Sequence, residues 1–271
     1  MTIKAGVILP GGSASTQLDQ AILAEQSGWD GVFVWEGGYG VDAWGLLAAM
    51  AASTTRVKLG TVLTPLPWRR PPKLASQVAT LDELSGGRAI LTVGVGDIAT
   101  GMPMTSEDLD IRKRADMMDE GIDVIRSLWA GQQEFHGRHY SYACSHAGLF
   151  EALRQPRPDI PIWVVGAWPR PRSMRRVLKC DGVLPQYVDG AGPEALAEVK
   201  AWLDERTSRP IDVISEGETP GDDASAAAEV VRPWAEAGAS WWLETRWEMP
   251  HNSDERMAEI SGRIAAGPPV P

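Results

Sequence analysis

The sequence predicts a single (β/α)8 barrel, an α/β fold in which eight parallel strands alternate with eight helices. The length of 271 residues is close to the roughly 250 residues of a typical barrel. β-rich runs and helical patterns alternate along the chain. The stretch Leu46–Gly96 holds a complete strand–helix–strand unit, whose strands should be parallel neighbours. Because ligands bind beyond the C-terminal ends of barrel strands, the loops that begin at Thr64 and Gly96 are the first candidates for a site.

The strands of this unit are predicted at Val57–Leu63 and Ala89–Val95. Pro71 suits the first turn of the intervening helix, and Gly86–Gly87 suits its end. The apolar face of that helix is formed by Leu74, Val78, Leu81 and Leu84.

The preceding units follow the same alternation. Strands are predicted at Ile3–Leu9 and Gly31–Trp35, and Asp42 can cap the helix that follows the second strand. The first helix has helical spacing at Leu18, Ala21, Ile22 and Glu25. A long helix is predicted to start at Ser106. Its apolar stripe is formed by Ile111, Ala115, Met118, Ile122, Ile125 and Trp129.

Residues 132–159 interrupt the alternation and are predicted to be a short excursion between strands four and five, with a hairpin over residues 135–142. The later strands are predicted at Pro161–Gly166, Gly182–Gln186, Ile211–Ser215 and Ser240–Glu244. The later helices are predicted at Arg172–Cys180, Pro193–Arg206, Ala224–Ala237 and Ser253–Ala265. No linker divides residues 1–271 into domains, and residues 267–271 are expected to be a disordered tail or a surface strap.

The composition argues against several classes of protein. A net charge of −10 disfavours a nucleic-acid-binding face, because such a face must be basic. Two cysteines, Cys144 and Cys180, are too few for a disulfide framework or a cysteine-rich metal site. No run of about 18 apolar residues indicates a membrane span, and the first residues do not resemble a secretory signal. We therefore expect a cytoplasmic protein without nucleic-acid or membrane partners.

Two weaker patterns indicate no function of their own. Residues 94–99 fit the dinucleotide pattern G-x-G-x-x-A, but Gly101 and Pro103 follow where its helix should run. His136 and His139 form an H-x-x-H pair on the predicted hairpin, with no obvious carboxylate ligand, so no metal site is expected.

Several segments of the chain carry a family pattern. Within Leu46–Gly96 they are AAMAASTTRVKLGT, PLPWRRPP, ASQVATLDELSGGR and LTVGVG. Further segments in register are RKRADMMDEGIDVIRSLWAG, FHGRHYSY, RPDIPIWVVG and KCDGVLP. These segments resemble the luciferase-like monooxygenase family, the flavin- or deazaflavin-dependent barrels related to bacterial luciferase. Together they span most of residues 1–187, whereas the last third matches by topology only.

The resemblance implies an oxidoreductase that binds an isoalloxazine-type ring at the barrel mouth. The favoured interpretation is a monooxygenase that uses reduced FMN, supplied by a separate flavin reductase, and oxygen to oxidise a small organic substrate. The alternative is hydride transfer with the deazaflavin coenzyme F420, whose anionic tail would suit Arg69 and Arg70. A third hypothesis is a barrel that binds flavin without catalysis. Family members are often dimers, so a homodimer is an open expectation.

The resemblance also assigns residues to the cofactor. A cis peptide bond at Val62–Leu63, followed by Thr64, would lie under the ring, and the glycines Gly94 and Gly96 would flank it. The phosphate site would follow the fifth strand, where late barrel loops and a helix N-terminus bind phosphate. Its residues would be Gly166, Ala167, Trp168, Arg170, Arg172 and Ser173.

Strand two departs from the family pattern. Many members have an acidic residue followed by histidine at its end, whereas this chain has Glu36 and Gly37. Glu36 could act as an acid or base if apolar neighbours such as Trp35 raise its pKa. The alternative is that Glu36 only accepts hydrogen bonds from the backbone.

Strand eight should place one of Trp241 and Trp242 inside the barrel and the other against the helices. Glu244 and Trp247 end this strand at the mouth, and with Trp35 they are the candidates for the substrate pocket.

Overall fold

Eight parallel strand positions close into a barrel, which confirms the predicted fold. The computed structural model describes residues 3–97, 110–146, 148, 159–246 and 253–271. Within these ranges the strands are β1 (Lys4–Leu9), β2 (Gly31–Val34), β3 (Lys58–Thr61), β4 (Thr64–Pro65), β5 (Ala89–Gly94), β6 (Glu134–His136), β7 (Ser141–Ala143), β8 (Ile162–Trp168), β9 (Gly182–Tyr187), β10 (Asp212–Gly217) and β11 (Trp241–Glu244). The helices are α1 (Ala14–Gln26), α2 (Ala43–Ser53), α3 (Pro71–Ser85), α4 (Ile111–Trp129), α5 (Pro171–Val177), α6 (Pro193–Asp204), α7 (Ala224–Glu236) and α8 (Asp254–Ala265).

The barrel closes because β1 pairs with both β2 and β11, and the other strands follow in the order β3, β5, β8, β9 and β10. Every pairing in this ring is parallel. The short strand β4 continues β3 and pairs with the upper half of β5. The C-terminal ends of the barrel strands therefore lie at one mouth, where a ligand site is expected.

Helix ends follow the predicted caps in most places. The Asp42 carboxylate accepts a hydrogen bond of 2.6 Å from the Gly45 amide at the start of α2. Gly86 ends α3 in the left-handed conformation, with φ of 70°, which favours glycine. The start of α4 differs from the prediction, because Asp110 caps the helix at Ile111 and the predicted start at Ser106 lies outside the described residues.

The predicted excursion contains an antiparallel hairpin of β6 and β7. The Glu120 carboxylate of α4 fixes the hairpin turn by accepting hydrogen bonds from the amides of Arg138, His139 and Tyr140. At the end of the chain, Arg263 donates a hydrogen bond of 2.8 Å to the carbonyl of Gly267. Pro269 is buried near the end of the chain, whereas Val270 and Pro271 are exposed.

Two apolar layers surround the strands, one inside the barrel and one beneath the helices. Inside, the Phe33 ring stacks on Trp163 with centroids 5.5 Å apart, and Trp241 meets Trp163 edge-on at 5.3 Å. Trp242 lies in the outer layer against Trp234, as the alternation of side chains predicts. The interior cluster consists of Ile8, Phe33, Val62, Ile90, Trp163, Leu184, Ile214, Trp241 and Leu243.

Glycine makes room for these interior rings. A Cβ atom on Gly182 would come within 2.2 Å of Trp163 Cδ1. Gly182→Ala should therefore lower the free energy of unfolding by about 1–3 kcal/mol, the cost of overpacking a core. Urea denaturation measures this change. The matched control is Gly262→Ala on α8, where a Cβ atom meets nothing within 4 Å and alanine favours the helix. Equal stabilities of the two variants would contradict the packing argument.

Candidate active site

A pocket of about 360 Å³ occupies the mouth of the barrel. Its floor is the top of the interior apolar cluster, since Val62 and Leu184 belong to both. The volume lies within the range of small-molecule sites. We call this cavity the ring pocket. It is lined by Trp35, Glu36, Val62, Leu63, Pro65, Trp68, Val95, Gly96, Asp97, Val165, Leu184, Pro185, Gln186 and Glu216.

The peptide bond Val62–Leu63 is cis, as the resemblance implies. Leu63 packs over Gly94, where a Cβ atom would come within 2.6 Å of Leu63 Cδ2. Gly96 has a φ of +78°, and a Cβ atom there would meet Trp68 at 2.7 Å. Both glycines are therefore required by close approaches at this edge of the ring pocket, although Gly94 itself lies behind Leu63 rather than among the lining residues.

Glu36 is a nearly buried carboxylate of the ring pocket and has several partners. Its side chain is only 7% exposed, and its Oε1 lies 2.8 Å from Arg69 Nη1. Its Oε2 accepts a hydrogen bond of 3.1 Å from the indole of Trp44. Burial raises the pKa of Glu36, and this effect outweighs Arg69 and the hydrogen bonds from Thr64 and Trp44, which lower it. The partners are side chains, not the backbone groups of the alternative interpretation.

The surroundings of Glu36 correct the expectations for two residues. Thr64 is fully buried and hydrogen-bonds Glu36 and Thr61, so it lies behind the carboxylate and does not line the ring pocket. Arg69 holds Glu36 and also donates a hydrogen bond of 2.5 Å to Gln77 Oε1. It is therefore not a free cation for an anionic tail.

A second pocket of about 810 Å³ adjoins the ring pocket and shares Val95 and Gln186 with it. This tail pocket lies between α4, β9 and the start of α5. The Ala167 amide donates a hydrogen bond of 2.9 Å to Ser173 Oγ, which leaves the hydroxyl proton for another acceptor. The tail pocket is lined by Val95, Ile111, Arg112, Ala115, Ala167, Arg170, Pro171, Arg172, Ser173, Arg176, Gln186, Tyr187 and Val188.

The arginines of the tail pocket differ in their partners. Arg172 forms an ion pair with Asp116, and Arg176 forms one with Asp119. Within the described ranges, no ion pair engages Arg170 or Arg112. The predicted phosphate residues Ala167, Arg170, Arg172 and Ser173 therefore share one pocket, but the charge of Arg172 is already balanced. Just before Arg170, the bond Trp168–Pro169 is cis, which the sequence analysis did not anticipate.

Three predicted site residues, Gly166, Trp168 and Glu244, lie on the outer side of the barrel strands, towards the helices. Gly166 and Trp168 face the helices, because the alternating neighbours Trp163 and Val165 face the interior. Trp168 accordingly meets Trp202 of α6 edge-on at 6.3 Å.

On β11 the same alternation sends Glu244 outward with Trp242. Glu244 is buried beneath the helices, where Thr219 donates two hydrogen bonds to it and Arg263 lies at 3.3 Å. Trp35 does line the ring pocket, whereas the third candidate, Trp247, lies outside the described residues.

Arg114 is a site residue that the sequence analysis missed. It is 2% exposed and braces the loop after β5, donating hydrogen bonds to the carbonyls of Val95 and Gly96. A signal was present, because residue 114 precedes the buried stripe of Met118 and Ile122 at the same spacing of four. A charged residue in an apolar stripe indicates a buried charge. Asp97, Gln186 and Glu216 were also missed as lining residues, and no sequence pattern distinguishes them.

Two kinds of feature are absent from the described ranges. No helix there is long and apolar enough to cross a membrane. The same ranges hold no group of histidine, cysteine and carboxylate side chains that could bind a metal ion.

Comparisons with known proteins agree with this geometry. The model of the luciferase-like monooxygenase family matches residues 2–266. An F420-dependent glucose-6-phosphate dehydrogenase of Beutenbergia cavernae is 35% identical over 237 residues, covering 80% of this chain and 68% of the relative. The corresponding enzyme of Microbacterium testaceum is 33% identical over 162 residues, which are 56% of this chain and 47% of the relative. The chain thus matches about half to two thirds of the length of these relatives.

Among solved structures, an F420-dependent secondary alcohol dehydrogenase in complex with an F420-acetone adduct has the same fold. The TM-score is 0.75 at 19% identity, and the match covers 97% of this chain and 98% of that one. Fold, family model and sequence relatives agree, and the chain belongs to the luciferase-like monooxygenase family.

Proposed function

We propose that this protein is an oxidoreductase that transfers hydride between a small alcohol-type substrate and the deazaflavin coenzyme F420. The observation that carries the proposal is the pair of adjoining pockets, an apolar one over Val62–Leu63 that contains Glu36, and a basic one with Arg112 and Arg170. The names of the relatives support F420 over reduced FMN, which is the second candidate. The buried, partnered carboxylate of Glu36 favours catalysis over the non-catalytic alternative.

The residues present fit a ring cofactor with an anionic tail. The ring pocket offers apolar surfaces from Val62, Leu63 and Trp68, which suit the face of a flat ring. The tail pocket offers the guanidinium groups of Arg112 and Arg170, which suit anionic oxygens. Because the two pockets share lining residues, one elongated molecule can occupy both.

When bound, the coenzyme supplies a ring carbon that accepts or donates hydride. Glu36 would take the proton of the substrate hydroxyl as the hydride leaves the adjoining carbon, which forms the carbonyl product. Arg69 holds the carboxylate in one orientation and favours its ionised form. Trp35 and Trp68 line the same pocket as Glu36.

Fluorescence titration with F420 and with FMN tests the proposal. We expect micromolar binding of F420 and much weaker binding of FMN. Arg170→Ala should weaken F420 binding about 10- to 100-fold, the loss of a hydrogen bond to a charged group. The control is Arg175→Ala, an exposed residue of the same helix that does not line the tail pocket. Tighter binding of FMN than of F420 would contradict the proposal.

Arg69→Met should raise the pKa of Glu36 further, because it removes the main group that lowers it. Only ionised Glu36 can accept a proton, so kcat/KM for alcohol oxidation rises with pH through this pKa. We expect the rising limb of the pH profile to move to higher pH in Arg69→Met. The profile of Lys73→Met, an exposed change on α3, should match the wild type. If the rising limb of the kcat/KM profile lies at the same pH in Arg69→Met as in the wild type, the pKa of Glu36 does not determine that limb.

A further inference from the structure

Arg114 is a buried cation directly behind the ring pocket. Its Nη1 donates hydrogen bonds of 2.9 Å and 2.8 Å to the carbonyls of Val95 and Gly96. Its guanidinium carbon lies 5.6 Å from the centroid of the Trp68 ring. All three contacted residues line the ring pocket, so a single layer of residues separates the cation from a bound ring.

Among the described residues the contacts of Arg114 are neutral, in contrast to those of three other arginines at the mouth. Arg69, Arg172 and Arg176 each form an ion pair with a carboxylate. Over the ranges that the structure describes, no carboxylate lies within ion-pair distance of Arg114. Carbonyl dipoles and an aromatic face stabilise a guanidinium but leave its formal charge unbalanced. At 2% exposure, water screens this charge only weakly.

We propose that Arg114 stabilises the reduced form of the ring electrostatically, in addition to bracing the loop after β5. This inference rests on the proposed function, because it requires a hydride-accepting ring in the pocket. In alcohol oxidation the substrate C–H and O–H bonds break and a C=O bond forms. The electron pair and hydrogen of the C–H bond go to the ring as hydride, and the hydroxyl proton goes to Glu36. The ring therefore gains one negative charge, which the fixed charge of Arg114 attracts.

Separate dissociation constants for the oxidised and reduced coenzyme test this role. Quenching of tryptophan fluorescence under anaerobic conditions reports both, since Trp35 and Trp68 line the ring pocket. By thermodynamic linkage, the ratio of the two constants gives the shift in reduction potential on binding. Arg114→Gln should weaken binding of the reduced form at least about tenfold more than binding of the oxidised form, which corresponds to about 30 mV for a two-electron couple.

Two further variants separate charge from bracing. Arg114→Lys keeps the charge but loses the planar fork, so both affinities should fall while their ratio stays near the wild-type value. Arg114→Met repeats the removal of charge with an apolar side chain, in case the glutamine variant does not fold. The matched control is Arg126→Gln, which removes the same charge from α4 roughly 18 Å further along the helix. Arg126 forms an ion pair with Asp181. In Arg126→Gln the ratio of the two dissociation constants should therefore equal that of the wild type.

If Arg114→Gln or Arg114→Met weakens binding of the oxidised and reduced forms equally, the electrostatic role is overturned. Arg114 would then only hold the loop after β5 in place. The titration is run with F420 and with FMN. If the wild type binds FMN alone, the proposed function fails while Arg114 is still tested with FMN, which also accepts two electrons. If the wild type binds neither coenzyme, both the proposed function and this inference are overturned.

Discussion

Glu36→Gln is expected to lower kcat for alcohol oxidation by about 10²- to 10⁴-fold, the usual contribution of a positioned general base. Glutamine keeps the size of the side chain and can still accept a hydrogen bond from Trp44, but it cannot take a proton. Affinity for the coenzyme should change only a few-fold, because we propose that Val62, Leu63 and Trp68, which line the ring pocket, make the contacts with the ring. Single-turnover reduction of the coenzyme measures the loss separately from binding.

The pH profile gives this prediction a second readout. In the wild type the rate of oxidation should rise through a pKa above that of an ordinary carboxyl group, because burial raises the pKa of Glu36. The variant should lack this limb. Glu218→Gln removes an exposed carboxylate that pairs with Arg246, and it should behave as the wild type. Undiminished turnover of Glu36→Gln would end the catalytic role of Glu36 and direct attention to Asp97, another carboxylate of the ring pocket.

Arg263→Met should have the largest effect on stability, a loss of about 3–5 kcal/mol in the free energy of unfolding. Glu244 is 1% exposed, and Arg263 lies 3.3 Å from its Oε1. Arg263 also donates a hydrogen bond of 2.6 Å to Thr219 Oγ1, and its guanidinium lies 5.1 Å from the Trp29 ring. Without Arg263 the carboxylate stays buried, and Arg246 at 3.9 Å is its one remaining cationic partner among the described residues.

Urea denaturation of Arg263→Met is best compared with Arg232→Met. Arg232 pairs with Glu229 on the exposed face of α7, and surface pairs of this kind contribute at most about 1 kcal/mol. Adding Glu244→Gln to Arg263→Met should recover part of the stability, because it removes the isolated charge. A loss below about 1 kcal/mol in Arg263→Met would show that Glu244 does not depend on this partner.

The fold could be predicted from the sequence because hydrophobic periodicity and helix caps are local properties. Asp42 caps the start of α2 and Gly86 ends α3 through contacts within a few residues, so the pattern alone locates both positions. The sequence also required that one of Trp241 and Trp242 face the interior, but not which one. That choice depends on the register of β11 against its neighbours, and a shift of one residue reverses every side chain. The outward positions of Gly166, Trp168 and Glu244 depend on strand register in the same way.

The charges at the mouth were harder to predict, because their partners are distant in sequence. Arg69 pairs with Glu36 from a different loop, and Arg172 pairs with Asp116 across 56 positions. A sequence shows that basic residues are clustered but not which of them are already balanced. Only the structure distinguishes the ion-paired Arg172 from Arg170 in the tail pocket.

A crystal structure of the protein with F420 is the most direct test of the central claim, that the two pockets hold a deazaflavin coenzyme beside Glu36. We predict that the ring lies over the Val62–Leu63 bond, within reach of the Glu36 carboxylate, and that the tail runs past Val95 and Gln186 towards Arg170. A ring bound elsewhere, or a tail that leaves the tail pocket empty, would contradict this account.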